Sequence, residues 1–215
     1  MLGIFRKPKT VLPRRSLDEI KNICKIVFID DKTFPIIEIL EKNGWRNIAK
    51  LKDVDALDQT EIREAHILFV DIQGVGKKMK LQDEGLGLII AIKRKYPNKK
   101  VIAYSAEDQG HVQAFHEGLD VADSRISKNA NSYEFQFKIE KYAQEIFSLD
   151  ACIERLKAII AQELGGTPRT EDILKSLEKV NKSSDFSANN IGKIFNLQNS
   201  ANLASIIQLF FTGAS

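Results

Sequence analysis

The sequence predicts an α/β fold, an open parallel sheet with helices on both faces, followed by a smaller all-helical region. Three observations predict it. Short runs of β-branched and aromatic residues alternate with helical stretches through the first 130 or so residues, the pattern of parallel strands joined by crossover helices. Four of the runs end on polar side chains: Asp30 and Asp31 after KIVFI, Asp71 after ILFV, Ser105 after VIAY and Lys128 after SRIS. From Ile139 onward the strand signal is gone and apolar residues recur only at helical spacing.

The strands are expected near 25–29, 47–51, 67–70, 100–104 and 123–127. Between them, Ile36, Ile37 and Leu40 mark a first helix that stops at Asn43-Gly44, and Ala56–Ile62 carries a weaker second one. Leu86, Ile89, Ile90 and Ile92 define a third helix ending at Tyr96-Pro97, and His111–Glu117, closed by Gly118, gives a fourth. Five strands at this spacing suit a flavodoxin-like sheet of order 2-1-3-4-5.

Ile139, Tyr142, Ile146, Leu149, Ile153, Leu156 and Ile160 repeat at alternating steps of three and four, and no Gly or Pro lies between Asn131 and Leu164. This reads as one long helix over 131–164 that leaves the α/β part and bridges to the C-terminal region. Its seam fits either an intermolecular coiled coil or packing on the chain's own C-terminal helices. Gly165-Gly166 and Thr167-Pro168 end it, and Thr170 can cap a helix with Ile173, Leu174, Leu177 and Val180. Two shorter helices follow, near 188–195 and 201–211. The expected organisation is a basic arm over 1–21, an α/β domain over 22–138 and a helical extension over 139–215.

The 215 residues are 43% hydrophobic and 28% charged, the balance of a globular chain. No apolar stretch is long enough to span a bilayer, and MLGIFRKPK turns charged before a signal-peptide core forms, so the expected compartment is the cytoplasm. Cys24 and Cys152 have no metal-ligand spacing and read as packed thiols. The formal charge of +3 is uneven: Arg6, Lys7, Lys9, Arg14, Arg15 and Lys21 face only Asp18 and Glu19 in the first 24 residues. Such an arm either meets phosphates or an acidic partner or stays solvated.

Parallel strands direct their C-terminal ends to one crevice, where open α/β sheets bind ligands. Here that crevice would collect three carboxylates, a hydroxyl and an ammonium. A strand-end carboxylate is a nucleophile toward phosphorus once charge on the phosphoryl oxygens is neutralised. Asp30 and Asp31 are placed to do this through Mg²⁺, which takes one or two carboxylates together with phosphate oxygens and water. Lys128 adds a second positive contact and Ser105 a hydroxyl donor, completing a phosphoryl-transfer site. Singly, each residue has a plainer reading: Asp31 or Thr33 as a cap for the helix through Ile36, Ser105 as a turn residue, Lys128 as a solvated charge.

The order Asp-Asp, Asp, Ser, Lys at successive strand ends resembles the receiver domain of two-component response regulators, over residues 22–148. The resemblance implies Asp71 as phosphoacceptor, Asp30 and Asp31 with Asp71 and the Gln73 carbonyl as the Mg²⁺ site, Lys128 as the phosphoryl ion-pair partner, and Ser105 as the hydroxyl that reports phosphorylation. Gln73 and Glu107 fall where receivers tune acyl-phosphate lifetime. The implied donor is a histidine kinase or phosphotransfer protein, and the chain would be a phosphoacceptor with at most slow self-dephosphorylation. A phosphorylation-independent adaptor is the alternative.

Three departures stand out. The segment DIQGVGKKMKLQDEGLG delays Gly85-Leu86 and lacks the usual Met-Pro; Arg125 occupies the aromatic position three before the lysine; and Asn129 replaces the proline after it. Within that segment Gly74–Lys78 only faintly resembles a P-loop, since no Ser or Thr follows the lysine. DNA binding through 189–211 is disfavoured, because ANLASIIQLFF holds no Lys or Arg and residues 150–215 carry seven bases against seven acids. Self-association is expected instead, as a homodimer through the heptad seam and Ile206, Ile207, Leu209, Phe210 and Phe211.

Overall fold

The computed structural model describes residues 12, 14–32, 35–105 and 117–213. The chain divides into two compact units, Ser16–Ile146 and a second composed of Met1–Arg15 with Phe147–Ser215.

In the first unit, β1 (Lys25–Ile29), β2 (Asn47–Leu51), β3 (Ile67–Asp71), β4 (Lys100–Ser105) and β5 (Ser124–Ser127) form one parallel sheet in the order β2-β1-β3-β4-β5. The predicted order and strand positions hold. β3 is central and buried along its whole length. Side chains alternate between the two faces. Val27, Ile29, Leu68, Val70, Val101 and Ala103 meet α3 (Thr60–Glu64) and α4 (Glu84–Lys95) through Ile62, Leu86, Leu88, Ile89 and Ile92. On the other face Phe28 stacks on Phe69 at 4.5 Å between ring centroids, and Phe135 of α6 (Ser132–Ile146) lies 5.7 Å from Phe69.

The remaining helices of this unit depart from the sequence reading in instructive ways. Residues expected in a basic arm form α1 (Leu17–Ile23), started by a capping box in which Ser16 and Glu19 exchange hydrogen bonds. The cap expected of Asp31 is not used at α2 (Ile36–Lys42), where Pro35 holds the N-cap position; Thr33, the other candidate, lies outside the described residues. The second helix forms at Thr60–Glu64, later than expected. Of the fourth only Glu117 is described, and Gly118 sits inside α5 (Glu117–Val121) because its missing side chain admits the Leu86 backbone.

The long helix expected over 131–164 is two helices. α6 ends at Ile146, and Ser148 adopts extended backbone and accepts from the Ala151 N–H, capping α7 (Leu149–Leu164). The heptad seam is therefore split: Ile139, Tyr142 and Ile146 are buried on α6, whereas Ile153, Leu156 and Ile160 belong to the second unit's core. The expected boundary at 138/139 falls inside α6, whose Tyr142 hydroxyl donates to the Asp123 carbonyl at 2.8 Å.

In the second unit, α7, α8 (Thr170–Ser183), α9 (Ala188–Phe195) and α10 (Ala201–Thr212) enclose Cys152, Leu156, Leu177, Ile191, Leu203 and Ile207. Gly165 closes α7 in the left-handed region, as expected, but Arg169 and not Thr170 occupies the N-cap of α8. Ile207 and Phe210 are buried and Ile206 and Phe211 pack against them, so these side chains are not the open surface on which the dimer expectation rested. α10 likewise turns Leu203, Ala204, Ile207 and Phe210 into the core, as a packing helix does. Arg15, expected in the basic arm, donates to the Phe210 carbonyl at 3.1 Å, and Leu12 packs on the same core. Among the described residues no helix is long and apolar enough to cross a membrane.

Candidate functional site

The parallel register decides which side chains meet. Ile29 pairs with Val70, Asp71 with Tyr104 and Ser105 with Ser127, so the four strand ends finish level. The ladder runs one residue further: Asp30 N–H donates to the Leu51 carbonyl, Ile72 N–H to Tyr104 and Lys128 N–H to Ser105. Asp30, Asp71 and Lys128 are thus delivered to one edge by backbone that is itself hydrogen-bonded.

Lys128 Nζ lies 2.5 Å from Asp71 Oδ2 and 3.1 Å from Asp30 Oδ2, bridging two buried carboxylates. Asp31 is exposed at the rim, and one oxygen from each of Asp30, Asp31 and Asp71 lies within 4.8 Å of the others. Gln73 is exposed, and its N–H is directed at Asp71 Oδ1 at 3.4 Å. Ser105 ends β4, half-buried, on the same edge. Glu107 lies outside the described residues. The structure therefore brings Asp30, Asp31, Asp71 and Lys128 together and sets Gln73 and Ser105 on the strand ends around them.

The two buried carboxylates titrate in opposite directions. Burial pushes Asp71 above the usual carboxylate range, and the Asp30 charge adds to this against the opposing Lys128 ammonium. Burial also acts on Asp30, but the Lys32 N–H, Lys128 and the Tyr104 hydroxyl together outweigh it and hold that carboxyl below its ordinary value. Burial would depress the Lys128 ammonium, yet Asp71 and Asp30 carry it upward, so the lysine stays charged. Three carboxylates around the Lys128 ammonium leave the edge net negative, a charge that a further cation would offset.

Three contributors were not singled out by the sequence reading. Tyr104 reaches Asp30 from the strand end. Asp53, beyond β2, accepts from the N–H groups of Val54, Gly76 and Lys78 and pins the enlarged segment after β3. Glu84 accepts from the Gly74 N–H at 2.6 Å and pairs with Lys77 at 3.5 Å. The basic segment after β3 is tied at both ends, and Lys78 pairs with Asp55. Gly74, at φ +82°, is needed where it stands, because a Cβ there would lie 2.6 Å from Asp31 Oδ2. At the two departing positions that flank Lys128, Arg125 is exposed and faces Asp120 at 3.6 Å, and Asn129 N–H donates to the Ser127 hydroxyl.

Three carboxylates with one exposed member, at a spacing of under 5 Å, suit a hard divalent cation that retains water, as Mg²⁺ does. No protein-family model and no curated protein sequence matches the chain. Solved structures do. The receiver domain of NtrX from Brucella abortus is 24% identical, with a TM-score of 0.46, over 56% of this chain and 98% of that one. The isolated REC domain of RcsB from Salmonella enterica serovar Typhimurium, determined with the phosphomimetic BeF3⁻, is 24% identical with a TM-score of 0.44, over 55% of this chain and 86% of that one. A CheY-like receiver domain protein from Methanospirillum hungatei is 20% identical with a TM-score of 0.44, over 58% and 96%. The chain is similar to response-regulator receiver domains over its α/β part, and its sheet has the 2-1-3-4-5 order.

Proposed function

We propose that the chain is a phosphorylation-controlled signalling protein that accepts a phosphoryl group on Asp71 with Mg²⁺ bound at Asp30, Asp31, Asp71 and the Gln73 carbonyl. The observation that supports this best is the Lys128 ammonium bridging Asp71 and Asp30 at the sheet's C-terminal edge. An Asp71 carboxylate oxygen attacks the phosphorus of a phosphohistidine or small phosphodonor; the new O–P bond forms as the donor's bond to phosphorus breaks and its electron pair leaves with the donor. Lys128 turns from the carboxylates to the incoming phosphoryl oxygens, and Ser105 donates its hydroxyl to one of them. A cation held by Asp30, Asp31 and Asp71 would, when bound, supply the remaining neutralisation of charge on those oxygens. A histidine kinase or phosphotransfer protein is the donor, Gln73 and Glu107 set the lifetime of the acyl phosphate, and the C-terminal helices are the output.

A phosphorylation-independent adaptor is the second reading, favoured by one observation: an exposed Arg125, paired with Asp120, stands where receivers carry their switch aromatic. Intact mass after incubation with acetyl phosphate and Mg²⁺ separates the two. One phosphoryl mass, lost in Asp71→Asn, is expected. An adduct that persists in Asp71→Asn and maps elsewhere rejects the assignment, and a chain that takes up no phosphoryl group favours the adaptor.

A further inference from the structure

Tyr104 stands next to Ser105 on β4, and strand alternation sends its ring to the opposite face of the sheet. The side chain is buried, edge-on to Phe28 at 6.2 Å and to Phe69 at 6.1 Å. From there its hydroxyl reaches back over the strand end to Asp30 Oδ2 at 2.9 Å. Asp30 is held elsewhere by the Lys32 N–H on Oδ1 at 2.8 Å and by Lys128 on Oδ2 at 3.1 Å. These two donors to Oδ2 differ in kind. Lys128 has a flexible stem and is required at the phosphoryl group, whereas the phenol ring packs edge-on against the stacked Phe28–Phe69 pair.

We propose that Tyr104 is a positioning residue of the cation site: its hydroxyl keeps the Asp30 carboxylate oriented toward the shared cation when Lys128 turns away. The role rests on the reading of Asp30, Asp31 and Asp71 as a Mg²⁺ site. The Lys32 N–H serves Oδ1 only, and Oδ2 of a carboxylate that is 1% exposed needs its own donor at all times, because a buried polar atom without a partner is costly. Lys128 cannot be that donor in both states. Tyr104 fills the position and leaves the lysine free to move.

Tyr104→Phe removes one oxygen and keeps the ring. Removing such an outer donor lowers metal affinity by about 10–100-fold, so Mg²⁺ titration by calorimetry should show at least a tenfold weaker Kd. Phe135→Leu is the control, since Phe135 packs on Phe69 at 5.7 Å and thins the same aromatic cluster; it should keep the wild-type Kd. In the wild type, the buried Tyr104 hydroxyl proton, identified by its loss in Tyr104→Phe, should shift in the NMR spectrum when Mg²⁺ is added. Wild-type affinity in Tyr104→Phe, equal losses in both variants, or a hydroxyl resonance indifferent to Mg²⁺ would each overturn the inference while the cation site stands. A wild-type chain that binds no Mg²⁺ overturns the site and the inference together.

Discussion

Replacing Lys128 by Met takes its ammonium from between two buried carboxylates. The Lys128 side chain is 17% exposed, that of Asp30 1% and that of Asp71 7%, so solvent screens this group little. With the ammonium gone, the Asp30 and Asp71 oxygens face each other within 4.8 Å. At an effective dielectric near 20, two unit charges at that separation repel by about 3.5 kcal/mol, in line with the ~3–5 kcal/mol seen when a buried ion pair loses one partner. Trp45 is the only tryptophan, buried inside the Ser16–Ile146 unit, so its fluorescence reports unfolding of that unit. In urea with a chelator present, Lys128→Met should lower the midpoint by roughly 1–3 M, taking a slope of about 1–3 kcal/mol per M. Adding Asp71→Asn should recover most of the loss, because one carboxylate then has nothing to repel. Acidification into the carboxylate range should narrow the deficit by protonating one of the pair. An unchanged midpoint at pH 7.5, or a deficit undiminished in the Asp71→Asn background, would refute the claim that Lys128 neutralises these two groups.

Asp71→Asn alone should be more stable than the wild type at pH 7 to 8. Burial and the Asp30 charge raise the folded Asp71 pKa, so its stabilising contribution is complete below the ordinary carboxylate range and is lost as pH rises through the raised value. The gap between variant and wild type in Trp45-monitored melting should therefore close in acid, and a wild type that melts higher at pH 7.5 contradicts it. Gly85→Ala should lower the urea midpoint more than the ~1–3 kcal/mol of ordinary overpacking implies, because a Cβ there overlaps the Asp71 carbonyl oxygen. A midpoint equal to wild type would mean that α4 is free to shift away from β3.

Much of the α/β unit and its acidic edge was legible because both depend on local pattern. Apolar runs ending in Asp30, Asp71, Ser105 and Lys128 become one site as soon as the strands are parallel and in register, and the register is enforced by two buried faces. The break at Phe147-Ser148 was illegible for the opposite reason. Two helices that bury different faces in different cores happen to stay in phase across the turn, so spacing alone continues through it. The signal present there was Ser148 ahead of Leu149-Asp150, a serine cap with an acid in the first turn. Alternation concealed Tyr104, because it assigns a face to the ring and says nothing of how far a phenol extends past a strand end. Asp53 lies too far along the chain from Gly76 and Lys78 for any spacing rule to join them.

The segment between β3 and α4 shows how an excursion of the chain can leave the strand-end carboxylates in place. The Gly74 N–H meets the Glu84 carboxylate at 2.6 Å, which closes the intervening residues into an excursion with a narrow base. Inside it, Leu81 N–H returns to the Gly76 carbonyl, while buried Val75 and half-buried Met79 and Leu81 pack into the core shared with Leu86 and Ile89. Asp53 fastens the outer limb through the N–H groups of Gly76 and Lys78, and three backbone donors hold its carboxyl below the ordinary range despite partial burial. Closing such a loop costs entropy that grows only slowly with its length, so two anchors and an apolar foot suffice to hold it. Gly85 then allows α4 to begin directly against the Asp71 backbone, so the chain re-enters the helix beside β3 however long the excursion is. Added length is thereby diverted outward to Lys77, Lys78 and Lys80, and the carboxylates keep the positions that the strand register gives them.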